Sequence, residues 1–279
     1  MTNPLHTSLK SALTALTPPE LVKSYGRLTR VNGLTLTATG GQFAMGEKYQ
    51  VESVDGHWYD AEVVGFNQDE AYLMPLKKIQ NLYSGGRVRP VIKNSHVAIS
   101  EKLLGRVIDA QMQPIDNLGP LEQDSTMSAC KLGNDYSLTP LERKGVTEPL
   151  DVGIRAINSL FSVGKGQRLG LFAGSGVGKS KLLGMMTRFT SADVVIVSLV
   201  GERGWEVKDF IEQSLGKEGL KKAIVIASPA DDSPLLRIKA AELSHKLAAY
   251  FRDKNSNVLL LMDSLTRYAQ AQREIGLSV

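Results

Sequence analysis

The sequence predicts an α/β nucleotide-binding core built on a parallel sheet, preceded by a small all-β barrel, and three observations carry that expectation. Residues 169–180, LGLFAGSGVGKS, have the form of a strand, a glycine-rich turn and a helix start. From residue 167 onward continuous apolar runs alternate with helical ones, as parallel strands covered on both faces require. Between residues 26 and 92 the texture is instead short alternating runs broken by turn dipeptides, as in a small barrel.

The length of 279 residues suits about two domains. We expect an amphipathic helix over 1–22, the barrel over 23–92 and the nucleotide-binding domain over 93–279. A content of 42% hydrophobic and 22% charged residues fits a chain that buries a sizeable core. The net charge of +4 is carried by scattered Lys and Arg, so charge argues for neither nucleic acid nor membrane. One cysteine, Cys130, excludes an internal disulfide and suits a reducing cytoplasm. No run approaches the roughly 18 apolar residues that span a bilayer, and Lys10 interrupts any signal-peptide pattern. His6, His57, His96 and His245 are isolated from each other, so zinc-type spacing is absent and any metal should be Mg²⁺ brought by a nucleotide.

Along the chain, Leu5, Leu9, Ala12, Leu13 and Leu16 share one helical face that Pro18-Pro19 terminates. So short a helix needs a surface, either its own domain or a partner. In the barrel, runs at 34–39, 48–51, 57–64 and 70–74 alternate between Asn32-Gly33, Gly40-Gly41, Asp55-Gly56 and Gly85-Gly86. Tyr25, Tyr49, Trp58, Tyr59, Phe66 and Tyr72 either fill this barrel and its contacts or stack on bases, and no basic groove accompanies them. Residues 102–160 read as a connector. Strands are expected at 169–172, 194–200, 223–227 and 258–262, with helices over about 180–189, 205–215 and 234–252.

The chemistry concentrates at the strand ends. Ala173, Gly174, Ser175, Gly176, Val177, Gly178, Lys179 and Ser180 form a phosphate-binding loop of the Walker A type, with Ala173 where the strict pattern has glycine. Backbone N–H groups and the following helix's N-terminus would face an oligophosphate. Lys179 would reach its β/γ-phosphates, and the Ser180 hydroxyl would hold Mg²⁺. Residues 258–263 are an apolar strand ending in a carboxylate, so Asp263 would orient a water on that Mg²⁺. Gly201-Glu202-Arg203 closes a neighbouring strand. Glu202 is the candidate base for the attacking water and Arg203 a candidate organiser of the γ-phosphate. Arg267 fits either the phosphate rim or a structural ion pair.

The strings Leu104-Gly-Arg-Val-Ile-Asp109 with Pro114-Ile-Asp116, Leu150-Asp-Val-Gly-Ile-Arg-Ala-Ile-Asn158 and Gly164-Lys-Gly-Gln-Arg168 resemble signatures of the F-type ATPase α/β family. Leu171–Ser180 as a string, Glu206-Val-Lys-Asp-Phe-Ile-Glu212 and Asp263-Ser-Leu-Thr-Arg-Tyr-Ala269 are similar to its protein-export branch, flagellar or injectisome. The resemblance implies a RecA-like ATPase core and hydrolysis of Mg-ATP by a homohexameric ring. It places that ring in the cytoplasm, peripheral to an inner-membrane export apparatus. It implies a regulatory stator-like protein on the N-terminal helix, export-gate membrane proteins, and export substrates with their chaperones as partners. No nucleic acid is expected. The family's catalytic glutamate falls on Glu202, its P-loop lysine on Lys179 and its Walker B aspartate on Asp263.

Three departures stand out. The family continues past the point matching Val279 with further strands, an arginine finger and a helical domain, so a truncated form is expected to bind ATP better than it hydrolyses it. Trp205 stands where the family usually has Arg, and Met112 and Asn117 replace connector glycines. Asn tolerates a left-handed turn and Met does not, so the turn at Met112 is expected to differ. Alternatives to an export ATPase are a non-catalytic nucleotide-binding form and an RNA helicase of the transcription-terminator kind.

Overall fold

The computed structural model describes residues 25–91, 96–121, 128–131, 141, 144–174 and 176–279. The expected N-terminal helix and Ser175 lie outside these. The chain divides into two compact units. One holds the residues up to Leu73 and Gln80–Val91, and the other holds Met74–Ile79 and everything from residue 92 on.

The first unit is a closed six-stranded barrel, β1 (Gly26–Asn32), β2 (Thr35–Thr39), β3 (Lys48–Glu52), β4 (Trp58–Asn67), β5 (Glu70–Pro75) and β6 (Arg87–Pro90), in the order β1-β2-β5-β4-β3-β6. Closure leaves no strand edge unpaired. Alternation turns Leu28, Leu36, Val51, Val63, Leu73 and Val88 into the barrel, each nearly inaccessible. Of the aromatic residues, Tyr49 is buried and packs its ring on Phe43. Trp58 lies under Arg89 at 3.9 Å, and Arg87 lies over Tyr25 and Trp58 while donating to both Glu52 carboxylate oxygens through Nε and Nη2. These cations and rings are engaged with each other.

In the second unit β7 (His96–Ile99) pairs antiparallel with β9 (Ser128–Lys131), and β8 (Val107–Ile108) lies between them in sequence. β8 comes from the expected connector yet joins the main sheet, parallel to β11 (Ala223–Ser228). Arg106 fixes it there by clasping Asp116 at 2.7 and 3.0 Å, while Asp116 also accepts from the Val107 N–H. The turn between them corrects one expectation. Met112 takes a positive φ of 64°, as Asn117 does at 59°. The Asp109 carboxylate accepts N–H groups from Gln111 and Gln113, and its backbone bonds Met112 and Gln113. Those bonds over-determine the turn against a steric cost of about 1–2 kcal/mol for a non-glycine residue.

The remaining elements are α1 (Arg155–Leu160), α2 (Lys179–Phe189), β10 (Val194–Val200), α3 (Gly204–Asp209) running into a π-helical stretch (Phe210–Leu215), α4 (Gly216–Leu220), β11, α5 (Pro234–Asp253), β12 (Val258–Asp263) and α6 (Leu265–Gly276). The parallel sheet runs β12-β10-β11-β8. β10 and β11 are buried along their whole length, which is why their sequences are continuously apolar. Val195, Val197 and Leu199 face Leu183, Met186, Phe210 and Leu215 on one side. Val194, Ile196 and Val200 face Ala240, Leu247 and Phe251 of α5 on the other. α5 begins as its sequence dictates, with the Ser233 hydroxyl accepting the Leu236 N–H and Pro234 in the first turn.

One expected strand is not formed. Residues 169–172 pair with no strand among the described residues, and β12 is bonded on its β10 side alone. Leu171 packs against the core, but Leu169 is 45% and Phe172 98% exposed. A strand needs a neighbour's backbone as well as an apolar run, and no described neighbour supplies one.

Candidate functional site

Parallel pairing brings the ends of β10 and β12 to the same sheet edge, with Leu199 opposite Asp263. Beyond Val200 the chain turns at Gly201, whose φ is +73°. A Cβ there would sit 2.7 Å from Cβ of Arg267, so the position accepts neither a side chain nor an ordinary backbone. The Gly201 N–H donates to Ser228 (2.7 Å) and the Ala230 N–H to the Glu202 carbonyl (2.9 Å), fixing the backbone that carries the candidate base.

From the other direction, the candidate phosphate-binding loop delivers Lys179 as the first residue of α2. Gly178 caps this helix at φ 97°, and its carbonyl accepts the Leu182 N–H at 2.9 Å. Ser180 stands exposed on the same turn, and Ala173, Gly174, Gly176 and Val177 face solvent. Beside them lies an open cleft of about 590 Å³ lined by residues 170–173, Val177, Lys179, Leu182 and Met185, within the size range of ligand sites. Lys179 forms an ion pair with Asp263, whose side chain is only 4% exposed. Asp263 is thus adjacent to the loop, with the lysine as its partner.

Glu202 is electrostatically coupled to both. Its carboxyl is pushed up from 4.5 to about 7, first by burial, then by a hydrogen bond with Glu206 and by the negative charges of Asp263 and Glu206, against a lowering by Lys179. Glu206 was not singled out by the sequence reading. Its signal was an acid at the third position of a helix that opens Arg203-Gly-Trp-Glu. There it accepts the Arg203 N–H at 3.4 Å as a helix cap, while its charge acts on Glu202. Arg203 is the N-cap residue of α3, and Arg267 packs on Gly201 and donates to Gln270 at 3.4 Å. Trp205 is 65% exposed on the first turn of α3.

The donor chemistry suits Mg²⁺. The Ser180 hydroxyl and Asp263 carboxylate are hard oxygen donors on adjoining elements. Among the described residues no group of three His, Cys, Asp or Glu gathers to hold a metal. Phosphate and water oxygens would therefore complete the coordination.

Residues 153–279 match the nucleotide-binding domain of the ATP synthase alpha/beta family. The chain is 51% identical over 257 residues to the flagellum-specific ATP synthase of Pseudomonas aeruginosa, which covers 91% of this chain and 56% of that protein. It is 40% identical over 275 residues to the type 3 secretion system ATPase of Xanthomonas euvesicatoria, covering 98% of this chain and 61% of the relative. Among solved structures, the assembled ATPase EscN of the enteropathogenic E. coli type III secretion system, in complex with its central stalk EscO, matches with a TM-score of 0.79 and 35% identity. That match covers 91% of this chain and 61% of EscN. The chain spans a little over half the length of these relatives. No helix among the described residues is long and apolar enough to cross a membrane.

Proposed function

We propose that the chain, whose residues 153–279 match the nucleotide-binding domain of the ATP synthase alpha/beta family, binds Mg-ATP and hydrolyses it to drive flagellar protein export. The observation that carries this reading is the convergence of Lys179, Asp263 and Glu202 at one edge of a parallel sheet beside the phosphate-binding loop.

In this reading residues 173–180 cradle the phosphates, with loop N–H groups and the positive end of α2 toward them. Lys179 binds the β/γ-phosphates, while Ser180 and, through water, Asp263 hold Mg²⁺. Bound Mg²⁺ supplies charge neutralisation for the transferring phosphoryl group. Glu202 accepts a proton from the attacking water as the new oxygen–phosphorus bond forms and the bond to the β-phosphate oxygen breaks. A carboxyl with a pKa of about 7 is poised for that transfer near neutral pH. Arg203 lies beside it as a cation for the γ-phosphate.

The expected assembly is a ring at the inner-membrane export apparatus, with its regulator, gate proteins and chaperoned substrates as partners. The 40% identity to the Xanthomonas secretion ATPase and the likeness to EscN support a second reading, the same chemistry in an injectisome.

The test is ATP turnover against protein concentration, with Glu202→Gln as control. We expect turnover that rises with concentration and falls about 10²- to 10⁴-fold in the control, the usual worth of a positioned base. Mg-ATP binding with equal, background turnover in both proteins would instead make the chain a nucleotide-binding module.

A further inference from the structure

Asp263 ends a strand in the interior of the second unit, and its 4% exposed carboxylate needs a counter-charge. Glu202 lies near enough to feel the Asp263 charge. The cation that meets that need is Lys179, 84 residues away in sequence and 30% exposed, at the start of the helix that follows the phosphate-binding loop. The ammonium is therefore accessible from the cleft, while the carboxylate it neutralises is not.

We infer that Lys179 serves Asp263 as an exchangeable counter-ion, keeping divalent metal off this carboxylate until nucleotide phosphates draw the ammonium toward themselves. This rests on the nucleotide reading of the loop. Two cations competing for one carboxylate repel each other strongly at contact distances inside a protein. A dication approaching Asp263 from the Ser180 side meets that repulsion while the lysine is engaged. A triphosphate removes it, since its oxygens give the ammonium a second set of anionic partners and bring ligands for the metal. Metal and nucleotide loading are then coupled through one side chain.

The probe is Mn²⁺ alone, titrated into the full chain without nucleotide and followed by the electron paramagnetic resonance signal of the free ion. Lys179→Met should bind one Mn²⁺ at least tenfold more tightly than wild type. Lys179→Arg, which keeps a cation there, should match wild type, and Lys179→Met/Asp263→Asn should lose the gain. Equal Mn²⁺ affinity in wild type and Lys179→Met overturns the proposal, as does a gain that survives Asp263→Asn. Melting temperatures give a second, metal-independent reading. The double variant, free of an unpaired buried carboxylate, should melt above Lys179→Met, and a double variant no more stable than the single one also overturns it. Mg-ATP binding by wild type reports separately on the nucleotide reading. Its loss would sink the proposed function, whereas the Mn²⁺ arms speak only to the counter-ion role.

Discussion

The two halves of the site are held in different ways. Glu202 lies two residues past β10 and Asp263 is the last residue of β12, strands whose register is fixed by paired backbones and by side chains packed on both faces of the sheet. The loop that would grip phosphate is preceded by residues 165–170, all exposed, and among the described residues only Leu171 packs against the core before α2 begins. The carboxylates are thus placed by folding, at no further ordering cost when a ligand arrives. The cradle has few apolar contacts, and fixing its backbone costs about 1–2 kcal/mol per residue ordered. On the proposed function, affinity would therefore be set mainly on the loop side and chemistry on the sheet side.

The strongest way to break that contrast is to damage the sheet side. Leu261, in β12 two residues before Asp263, is 6% exposed and belongs to the core that includes Val197 and Leu199. Leu261→Ala should destabilise the protein by about 2–5 kcal/mol through lost burial and a residual cavity. Denaturant unfolding checks this, and a loss under about 1 kcal/mol would mean that β12 is not anchored as its packing indicates.

A smaller effect sharpens the electrostatics of the sheet side. Glu202 must be ionised to act as a base, so turnover should rise with pH through about 7. Glu206→Gln removes one neighbouring negative charge and should move that rise toward lower pH. The stability signature has the opposite slope. Unfolded, Glu202 loses its proton near the usual 4.5, whereas folded it keeps it to about 7. The folded state thus binds more protons across that window, and the Glu202 contribution to stability falls as pH rises through it. Glu202→Gln should flatten this part of the stability profile, and an unchanged slope would assign it to other groups.

Much of this was legible in the sequence because it depends on local pattern. Continuous apolar runs announced β10, β11 and β12, and the helix expected over about 234–252 is α5. The glycines before Lys179 predicted the turn into α2, and the apolar runs ahead of Glu202 and Asp263 predicted that both acids lie at neighbouring strand ends. What sequence could not show is which groups partner each other across the fold. The Lys179–Asp263 pair joins residues 84 apart, and the coupling of Glu206 to Glu202 depends on how α3 leaves β10. Met112 was misread because steric preference was weighed without the four hydrogen bonds around Asp109 that hold its turn. β8 was hidden because two residues inside a connector carry no period of their own.

The expected strand at 169–172 failed for the same reason, and it supplies the smallest and most discriminating prediction. Phe172 is 98% exposed, with its ring folded back on Gly170, where an added Cβ would sit 2.7 Å from it. A side chain so placed contributes almost no burial, so Phe172→Ala should change unfolding free energy by less than about 0.5 kcal/mol. A paired and covered strand would make the same substitution cost about 3–5 kcal/mol, as for a buried phenylalanine. The gap separates the two arrangements with one unfolding curve per variant. A loss of several kcal/mol would place the loop side of the site on the same footing as the sheet side, and the division of affinity from chemistry would then have to be abandoned. A near-zero effect would leave Leu171 and the start of α2 as what positions the phosphate cradle.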